Sequence, residues 1–321
     1  MANGPIAILS NQLSTRNKEN DDWIRPHLSE YQRVIHYPVE SAEEIPVTLE
    51  YCAERGADTI VIDGGDGTAG AVFSALLNLK PYSTLPALAL LPSGKANMSA
   101  AALSLAGNRD KALQTLFKHH RDDNLVHHVR ENPILRLVQR PDSQPIFGTF
   151  FGTADVVEGI LYCRNNIYPL NMPDALSHAA AITVLFWRTL IGKPSKHSSY
   201  NIRWDDKAEE KDGLFKLVTV TTLPKLLLGV VPFPTAKDGP MHFFSLDTGA
   251  EAIFRFIPEL LKGKLGSNKP VRGQTSRRTR SLSLTFDGAY TLDGELYKTT
   301  NEQTLQISAN QLLKFVKWQT S

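Results

Sequence analysis

The sequence predicts an α/β domain with a doubly wound parallel sheet, followed by a second domain rich in β-strands. Short apolar runs alternate with helical patterns over about the first 120 residues, which is typical of a parallel sheet covered by helices. One of these runs, residues 59–62 (TIVI), has the β-branched composition of a buried strand and ends in a glycine-rich turn. From about Asp122 onwards, strand-like runs dominate instead.

In the first domain, the predicted elements follow the order of a doubly wound sheet, with strand and helix in alternation. A sequence that resembles a capping box, Ser41 to Glu44, opens the helix before the glycine-rich turn. The predicted strands are residues 5–10, 33–37, 59–62 and 87–91, and the predicted helices are residues 23–30, 41–55, 71–77 and two that end near residues 106 and 120.

The second domain combines predicted strands with three helical insertions, and residues 262–280 are basic and rich in turn formers, as in an exposed loop. We therefore expect one domain at residues 1–125 and another at residues 126–321. The predicted strands are residues 134–138, 146–151, 200–204, 214–221, 242–246 and 281–286, and the predicted helices are residues 154–164, 175–191 and 250–261.

The composition of the chain argues against several classes of protein. The 35 basic and 33 acidic residues nearly cancel, so the charge balance does not indicate a nucleic-acid partner. Cys52 and Cys163 fit no metal-binding spacing and are typical of reduced thiols in a cytosolic protein. We expect no signal peptide, because the N-terminal residues (MANGPIAILSNQ) lack a basic region and an adequate apolar run. We expect no membrane span, because the most apolar stretch, residues 179–191, is short and contains Arg188. The expected location is the cytoplasm, with peripheral membrane association left open.

Two small-residue loops follow successive predicted strands, at residues 64–68 (GGDGT) and 92–97 (PSGKAN), and the loop at residues 11–17 leaves a strand in the same sense. Because ligands of open α/β sheets bind at the carboxyl ends of the strands, we expect these loops to line one crevice. Glycines expose backbone N–H groups that bind phosphate at a helix N-terminus. Asp66 adds a carboxylate, which suits a metal ion or a hydroxyl proton. The alternative for each loop alone is a tight strand–helix turn.

These motifs resemble the catalytic domain of diacylglycerol kinases. The residues that carry the resemblance are Asp63 to Thr68 (DGGDGT) and, about two dozen residues later, Leu91 to Asn97 (LPSGKAN). Sphingosine kinases, ceramide kinases, the compact bacterial lipid kinases and the more distant NAD kinases share the pattern. Weaker matches in the same order are Asn11, residues 151–155 (FGTAD), residues 234–239 (PTAKDG) and residues 292–295 (LDGE).

The resemblance implies an NAD-kinase-like first domain, a sandwich-like second domain, and MgATP in the cleft between them. It implies transfer of the γ-phosphoryl group to a hydroxyl of diacylglycerol or of a sphingoid lipid such as ceramide. Asp66 and Glu295 are then the catalytic carboxylates, with Glu295 as the base or its orienter, and Asp238 is a candidate metal ligand. The implied nucleotide-binding residues are Asn11, Gly64, Gly65, Gly67, Thr68, Ser93, Gly94, Lys95 and Asn97.

The second loop departs from the family pattern. Lys95 and Met98 stand where the family has a threonine and an aspartate. Either Lys95 contacts the ATP phosphates as a point charge, or it is a solvated lysine on a loop. Two other functions stay open: an NAD kinase-like enzyme, and a non-catalytic protein that binds a nucleotide or a lipid.

The expected partner is a lipid substrate at a membrane surface. Residues 175–191 are apolar around most of a helix, as in a buried helix or the wall of an acyl-chain pocket. The basic residues of the loop at 262–280 fit a solvated loop or an attraction to anionic lipid. A homodimer stays open as the oligomeric state.

Overall fold

The computed structural model divides the chain into two compact units, Met1–Asn132 with Leu312–Ser321, and Pro133–Gln311. The predicted helix at residues 175–191 and most of the segment at 234–239 lie outside the residues that the structure describes. The described residues are 4–20, 22–104, 108–167, 199–204, 209–232, 238–266, 270–300 and 302–318.

The first unit contains a parallel sheet of the predicted kind. Four strands lie in the order β2-β1-β3-β4, all parallel: β1 (Ile6–Asn11), β2 (Val34–Val39), β3 (Thr59–Gly64) and β4 (Ala87–Pro92). Every residue of β3 is buried, which is why its sequence is a nearly continuous apolar run rather than an alternating one. The end of the last strand of the chain adds to this sheet, pairing Lys314 with Ala87 in parallel.

Helices connect these strands. They are α1 (Thr15–Glu19), α2 (Arg25–Glu30), α3 (Ile45–Glu54), α4 (Asp66–Leu79), α5 (Met98–Leu103) and α6 (Arg109–Arg121). A 3₁₀ turn, Ala42–Glu44, precedes α3. The helix after β3 begins at Asp66 and not near residue 71, because the glycine-rich segment itself adopts helical geometry. The predicted glycine loop is therefore largely the first turn of α4.

Antiparallel strands dominate the second unit. The chain passes into it within β5 and leaves it within β18. The strands are β5 (Val129–Val138), β6 (Ile146–Gly148), β7 (Phe150–Ala154), β8 (Tyr200–Trp204), β9 (Glu209–Gly213), β10 (Phe215–Thr221), β11 (Val231–Pro232), β12 (Met241–Asp247), β13 (Lys264–Leu265), β14 (Gln274–Thr279), β15 (Ser281–Thr285), β16 (Gly288–Leu292), β17 (Glu295–Thr299) and β18 (Thr304–Val316).

Two sheets share the main core of this unit. One has the order β14-β12-β10-β7-β16-β17, and the other contains β18-β15-β8-β9, with β5 pairing β18 and β6. Phe151 and Phe243 of the first sheet pack in one cluster with Leu284 and Ile307 of the second. Helices α7 (Asp155–Tyr162) and α8 (Ala250–Leu261) contribute to a smaller cluster. The predicted β-rich second part is confirmed. No helix within the described ranges is long and apolar enough to cross a bilayer.

Two predictions about this part of the chain need correction. Residues 262–280 are not one exposed loop, because they include β13 and β14. The residues of β14 (QTSRRT) are all polar or charged and gave no apolar signal, yet β14 pairs with β12, and Arg277 bonds Glu209 at 2.7 Å. The division also lies at residues 132/133, and residues 312–321 join the first unit because Phe315 pairs with Leu88 of β4.

Candidate functional site

The carboxyl ends of three neighbouring strands define one edge of the parallel sheet in the first unit. β1, β3 and β4 are adjacent, and the register pairs Gly64 with Pro92. The segments that follow Asn11, Gly64 and Pro92 therefore leave the sheet at one place. Because β2 lies on the other side of β1, this edge includes the point where the strand order reverses. Open α/β sheets bind their ligands at such a point.

The glycine-rich segment forms an uncapped helix N-terminus. Gly65 occupies the N-cap position of α4, and glycine has no side chain that could cap the helix. Backbone N–H groups in the first turn of an α-helix have no partner within the helix. The N–H groups of Asp66, Gly67 and Thr68 thus lie in the first turn of a long helix, where the helix dipole favours an anion.

Two glycines from different loops approach each other closely beside this helix end. A Cβ atom on Gly94 would lie 2.5 Å from the Cα atom of Gly65, and a Cβ atom on Gly65 would lie 3.3 Å from the Cα atom of Gly94. Real Cβ atoms do not come as close to backbone as the first distance. Glycine is therefore required at position 94 by the approach of the two chains, and the surface there is bare backbone.

Replacing Gly94 by alanine is expected to force the two loops apart. The contact is with backbone rather than with a flexible side chain, so we expect a loss of roughly 2–3 kcal/mol in the free energy of unfolding. Urea unfolding measures this loss. Gly249→Ala is the matched control, because its Cβ atom would meet no heavy atom within 4 Å. Equal midpoints for the two variants would contradict the close approach.

Asp66 connects the starts of two helices. Its Oδ2 accepts a hydrogen bond from the backbone N–H of Met98 at 3.0 Å, and its Oδ1 accepts one from Ser99 at 2.8 Å. The side chain is buried, with 9% of its surface exposed. Asp66 thus lies in the first turn of α4 and caps the N-terminus of α5. Both carboxylate oxygens take part in holding the second loop against the first turn of α4.

Asn97 closes the second loop on itself. Its Oδ1 accepts the N–H of Gly94 at 2.8 Å, and its Nδ2 donates to the carbonyl oxygen of Gly94 at 2.7 Å. The residue has a φ of 51°, a left-handed conformation that asparagine tolerates well. A cavity of about 10 Å³, room for about one water molecule, lies beside Asp66 and Asn97. Lys95 lies on this loop and is half-buried.

Asn11 fastens the first loop to α4. Its Nδ2 donates to the Thr68 hydroxyl oxygen at 2.7 Å, while its Oδ1 accepts the N–H of Leu13 at 2.9 Å. Thr68 in turn lies against Gly64, where an added Cβ atom would be 2.7–2.8 Å from the threonine side chain. The structure therefore brings Asn11, Gly64 and Thr68 together through direct contacts.

Asp63 was missed by sequence reasoning as a site residue, although it lies among all three loops. It is fully buried, accepts the hydroxyl hydrogen of Ser93, and accepts a bond from Asn17 Nδ2 at 3.0 Å. Burial lowers the pKa of the nearby His36, and the negative charge of Asp63 opposes that shift. The sequence feature that could have identified Asp63 is its position at the end of a buried strand, directly before the glycines.

Glu295 lies in the second unit, directly after a tight turn. Asp293 and Gly294 have φ values of 50° and 89°, as in the type I′ turn of a two-residue hairpin, and Leu292 pairs with Glu295. Asp293 thus occupies the first central position of the turn. The side chain of Glu295 is exposed. Burial raises the pKa of Tyr297, and the charges of Glu295 and Asp293 contribute to the same shift.

Asp293 also anchors this hairpin to the segment between β6 and β7. Its Oδ2 accepts the N–H of Thr149 at 2.9 Å, and its Oδ1 accepts the Thr149 hydroxyl at 2.8 Å and the N–H of Phe150 at 2.9 Å. The residue is 6% exposed. A Cβ atom on Gly148 would lie 2.5 Å from Asp293 Oδ2, so the glycine leaves room for the carboxylate.

Asp238, the candidate metal ligand, is exposed in the second unit. Across the described ranges, no three His, Cys, Asp or Glu side chains lie close enough together to hold a metal ion. The neighbouring residues 233–237 are outside those ranges. A metal at Asp238 stays a prediction. The predicted residues that the structure brings together are those of the first unit: Asn11, Gly64, Gly65, Asp66, Gly67, Thr68, Ser93, Gly94, Lys95 and Asn97.

Comparison with solved structures reveals a shared fold. A crystal structure from Bacillus anthracis str. Sterne, named as a candidate diacylglycerol kinase, matches with a TM-score of 0.68 and 16% identity over 98% of this chain and 97% of that one. Another, named as a diacylglycerol kinase from the same organism, matches with a TM-score of 0.62 at the same identity and coverage. At this identity, the likeness shows the fold.

Comparison of sequences found a curated relative and a family model. A Yersinia enterocolitica protein (serotype O:8 / biotype 1B, strain NCTC 13174 / 8081), named "Probable lipid kinase YegS-like", is 44% identical over 66 residues, which is 21% of this chain and 22% of that relative. The match therefore spans about a fifth of the relative. The family model described as the diacylglycerol kinase catalytic domain matches residues 5–127, the part that carries all three loops. The similarity to the diacylglycerol kinase catalytic domain thus lies in residues 5–127, within the first unit.

Proposed function

We propose that this protein is a lipid kinase that transfers the γ-phosphoryl group of ATP to a hydroxyl of diacylglycerol or of a sphingoid lipid such as ceramide. One observation carries the proposal: Gly65 and Gly94 meet beside the uncapped N-terminus of α4. Bare backbone at a helix N-terminus suits a phosphate group, because N–H groups can approach the anion without a Cβ atom between them. The lipid and diacylglycerol kinase names of the matched proteins support the choice of acceptor.

In this proposal, the first turn of α4 and the second loop hold the nucleotide phosphates. Backbone N–H groups of the α4 end donate to the phosphate oxygens, and Lys95 adds a positive charge from the second loop. The side chains of Asn97 and Thr68 act through the shape of the loops, since their polar atoms already bond Gly94 and Asn11. Phosphoryl transfer depends mainly on such positioning and on neutralising charge.

Glu295 is the proposed general base. The lipid hydroxyl gives its proton to the Glu295 carboxylate while its oxygen forms the bond to the γ-phosphorus, and the bond to the ADP oxygen breaks. The exposed side chain of Glu295 is available to a substrate. Asp66 is the proposed organiser of the nucleotide site, because both of its oxygens accept backbone hydrogen bonds.

Mg²⁺ is the proposed metal ion of the nucleotide site. Nucleotide-bound Mg²⁺ takes one or two protein carboxylates together with phosphate oxygens, so a dedicated cluster of ligands is not required. Asp66 is the carboxylate of the glycine-rich segment that would hold it. When bound, the ion would supply neutralisation of the charge on the transferring phosphoryl group.

Labelled-ATP transfer tests the proposal. Diacylglycerol, ceramide and sphingosine are presented in vesicles, and NAD is presented in solution. Transfer to one of the lipids is expected. Transfer to NAD alone would establish the NAD kinase-like alternative. ATP binding without transfer to any acceptor would establish the non-catalytic alternative, which the departures at Lys95 and Met98 favour.

The variant Glu295→Gln separates the base from the nucleotide site. It keeps the size of the side chain but cannot take a proton, so we expect kcat to fall by about 10²–10⁴-fold while the KM for ATP stays unchanged. Glu302→Gln, at another exposed glutamate of the same unit, is the control and should retain activity. Full activity of Glu295→Gln would overturn the assignment of the base.

A further inference from the structure

Arg109, the first residue of α6, contacts the segment at residues 11–17, a loop that runs into the start of α1, although it lies far away in the sequence. Its Nη1 donates to Asn17 Oδ1 at 2.8 Å, and its Nη2 donates to the carbonyl oxygen of Arg16 at 3.4 Å. The guanidinium carbon is 4.2 Å from the centre of the Trp23 ring, a cation–π distance. Arg109 is therefore held on one side by an aromatic ring and bonds the loop on the other.

Asn17 connects Arg109 to the edge of the sheet through hydrogen bonds. The residue is 2% exposed, and its Nδ2 donates to the carbonyl oxygen of Asn11 at 2.9 Å and to Asp63 Oδ2 at 3.0 Å. A guanidinium on one side and a carboxylate on the other fix the orientation of the amide, because only its oxygen can accept and only its nitrogen can donate.

The same hydrogen bonds reduce the free-energy cost of burying the Asp63 carboxylate. A fully buried carboxylate is expensive unless its oxygens are hydrogen-bonded, and Asn17 and Ser93 supply such bonds. Arg109 places a positive charge one amide group away. Burial lowers the pKa of Arg109, and the charge of Asp63 acts against that shift, as expected for two groups that attract each other.

We propose that Arg109 and Asn17 are positioning residues that set the location of the loop at residues 11–17 and thereby the affinity of the site for nucleotide phosphates. Neither residue needs to touch the nucleotide. They act on Asn11, which bonds Thr68 in the first turn of α4, and on Arg16, whose N–H bonds the carbonyl oxygen of Ser93 at 3.1 Å. The effect on nucleotide affinity rests on the proposed function, whereas the effect on the loop does not.

Two measurements on the full chain test this role. Hydrogen exchange of the backbone amides of residues 11–17 reports on the loop without any nucleotide, and calorimetry gives the Kd of MgATP. Arg109→Met keeps the length of the side chain and removes its donors. We expect exchange in residues 11–17 to become about 10-fold faster and the Kd to rise about 10-fold, with kcat changed less than KM.

Three comparisons decide the outcome. Arg109→Lys keeps the charge with a single donor group and should recover part of both effects. Arg25→Met, at an exposed arginine of the same unit, should leave both quantities unchanged. Amides of α3 should keep their exchange rates in Arg109→Met. Faster exchange throughout the unit would indicate a general structural role and would overturn the proposal.

Failure of this proposal and failure of the proposed function give different results. Unchanged hydrogen exchange in residues 11–17 of Arg109→Met would overturn the positioning role, whatever the Kd of MgATP. A wild-type protein that binds no nucleotide would overturn the proposed function and the effect on affinity. Faster hydrogen exchange in residues 11–17 of Arg109→Met would still establish that the Arg109 contact holds this segment in place.

Discussion

Replacing Asp66 by alanine is expected to lower the free energy of unfolding by roughly 2–4 kcal/mol and to abolish nucleotide binding. The change removes the acceptor for the backbone N–H groups of Met98 and Ser99, and both residues are buried at the start of α5. It also releases the second loop from the first turn of α4. Urea unfolding and calorimetry with MgATP measure the two effects. Asp22→Ala, which removes an exposed ion pair with Arg25, should cost less than about 1 kcal/mol.

The variant Asp66→Asn distinguishes a positioning role from proton transfer. One oxygen remains as an acceptor, while the amide nitrogen faces a backbone N–H, so we expect about half of the stability loss of Asp66→Ala. If Asp66 organises the site, the KM for ATP rises in Asp66→Asn. A variant with unchanged stability and unchanged KM but a much lower kcat would mean that Asp66 itself takes the proton.

Replacing Asp293 by alanine is expected to cost roughly 3–5 kcal/mol in the free energy of unfolding. Three donors, from Thr149 and Phe150, lose a buried charged acceptor. Alanine also tolerates the left-handed conformation of this position poorly, whereas aspartate adopts it more readily. Because Glu295 follows two residues later in the hairpin, we expect lipid phosphorylation to fall together with stability, while the Kd of MgATP changes little.

Two further variants, Asp293→Asn and Asp212→Ala, are compared with Asp293→Ala. Asp293→Asn tolerates the positive φ and keeps one accepting oxygen, so it should lose about half as much stability as Asp293→Ala. Asp212, an exposed residue of the same unit, accepts a bond from Asn201 at 2.8 Å, and Asp212→Ala should cost less than about 1 kcal/mol. A stable Asp293→Ala protein would contradict the anchoring of the hairpin by this carboxylate.

Local patterns were sufficient to predict most of the first unit. Each buried parallel strand contains a continuous apolar run, so β1, β3 and β4 were predicted to within a few residues. The edge formed by their carboxyl ends followed from the order of strands and helices. At that edge Asn11 bonds Thr68, and Gly65 lies against Gly94.

Contacts between distant parts of the chain were not predictable from those patterns. β14 (QTSRRT) contains only polar and charged residues, and its place in a sheet depends on pairing with β12. Asp66 was predicted for its charge, but its two bonds to the start of α5 depend on the way the second loop folds back. Arg109 gave no signal at all, because its partner Asn17 lies 92 residues earlier in the chain.

The sharing of β18 between the two units has a consequence for the synthesis of the protein. Phe315 packs edge to face on Phe73, the Ser104 hydroxyl donates to the carbonyl oxygen of Val316, and Lys317 Nζ donates to that of Ala102. While a ribosome is still making the second unit, β4 has an unpaired edge where Lys314 and Phe315 will later bind. Such an edge can pair with another chain. We therefore expect the nascent first unit to be more prone to association through β4 than the complete chain is.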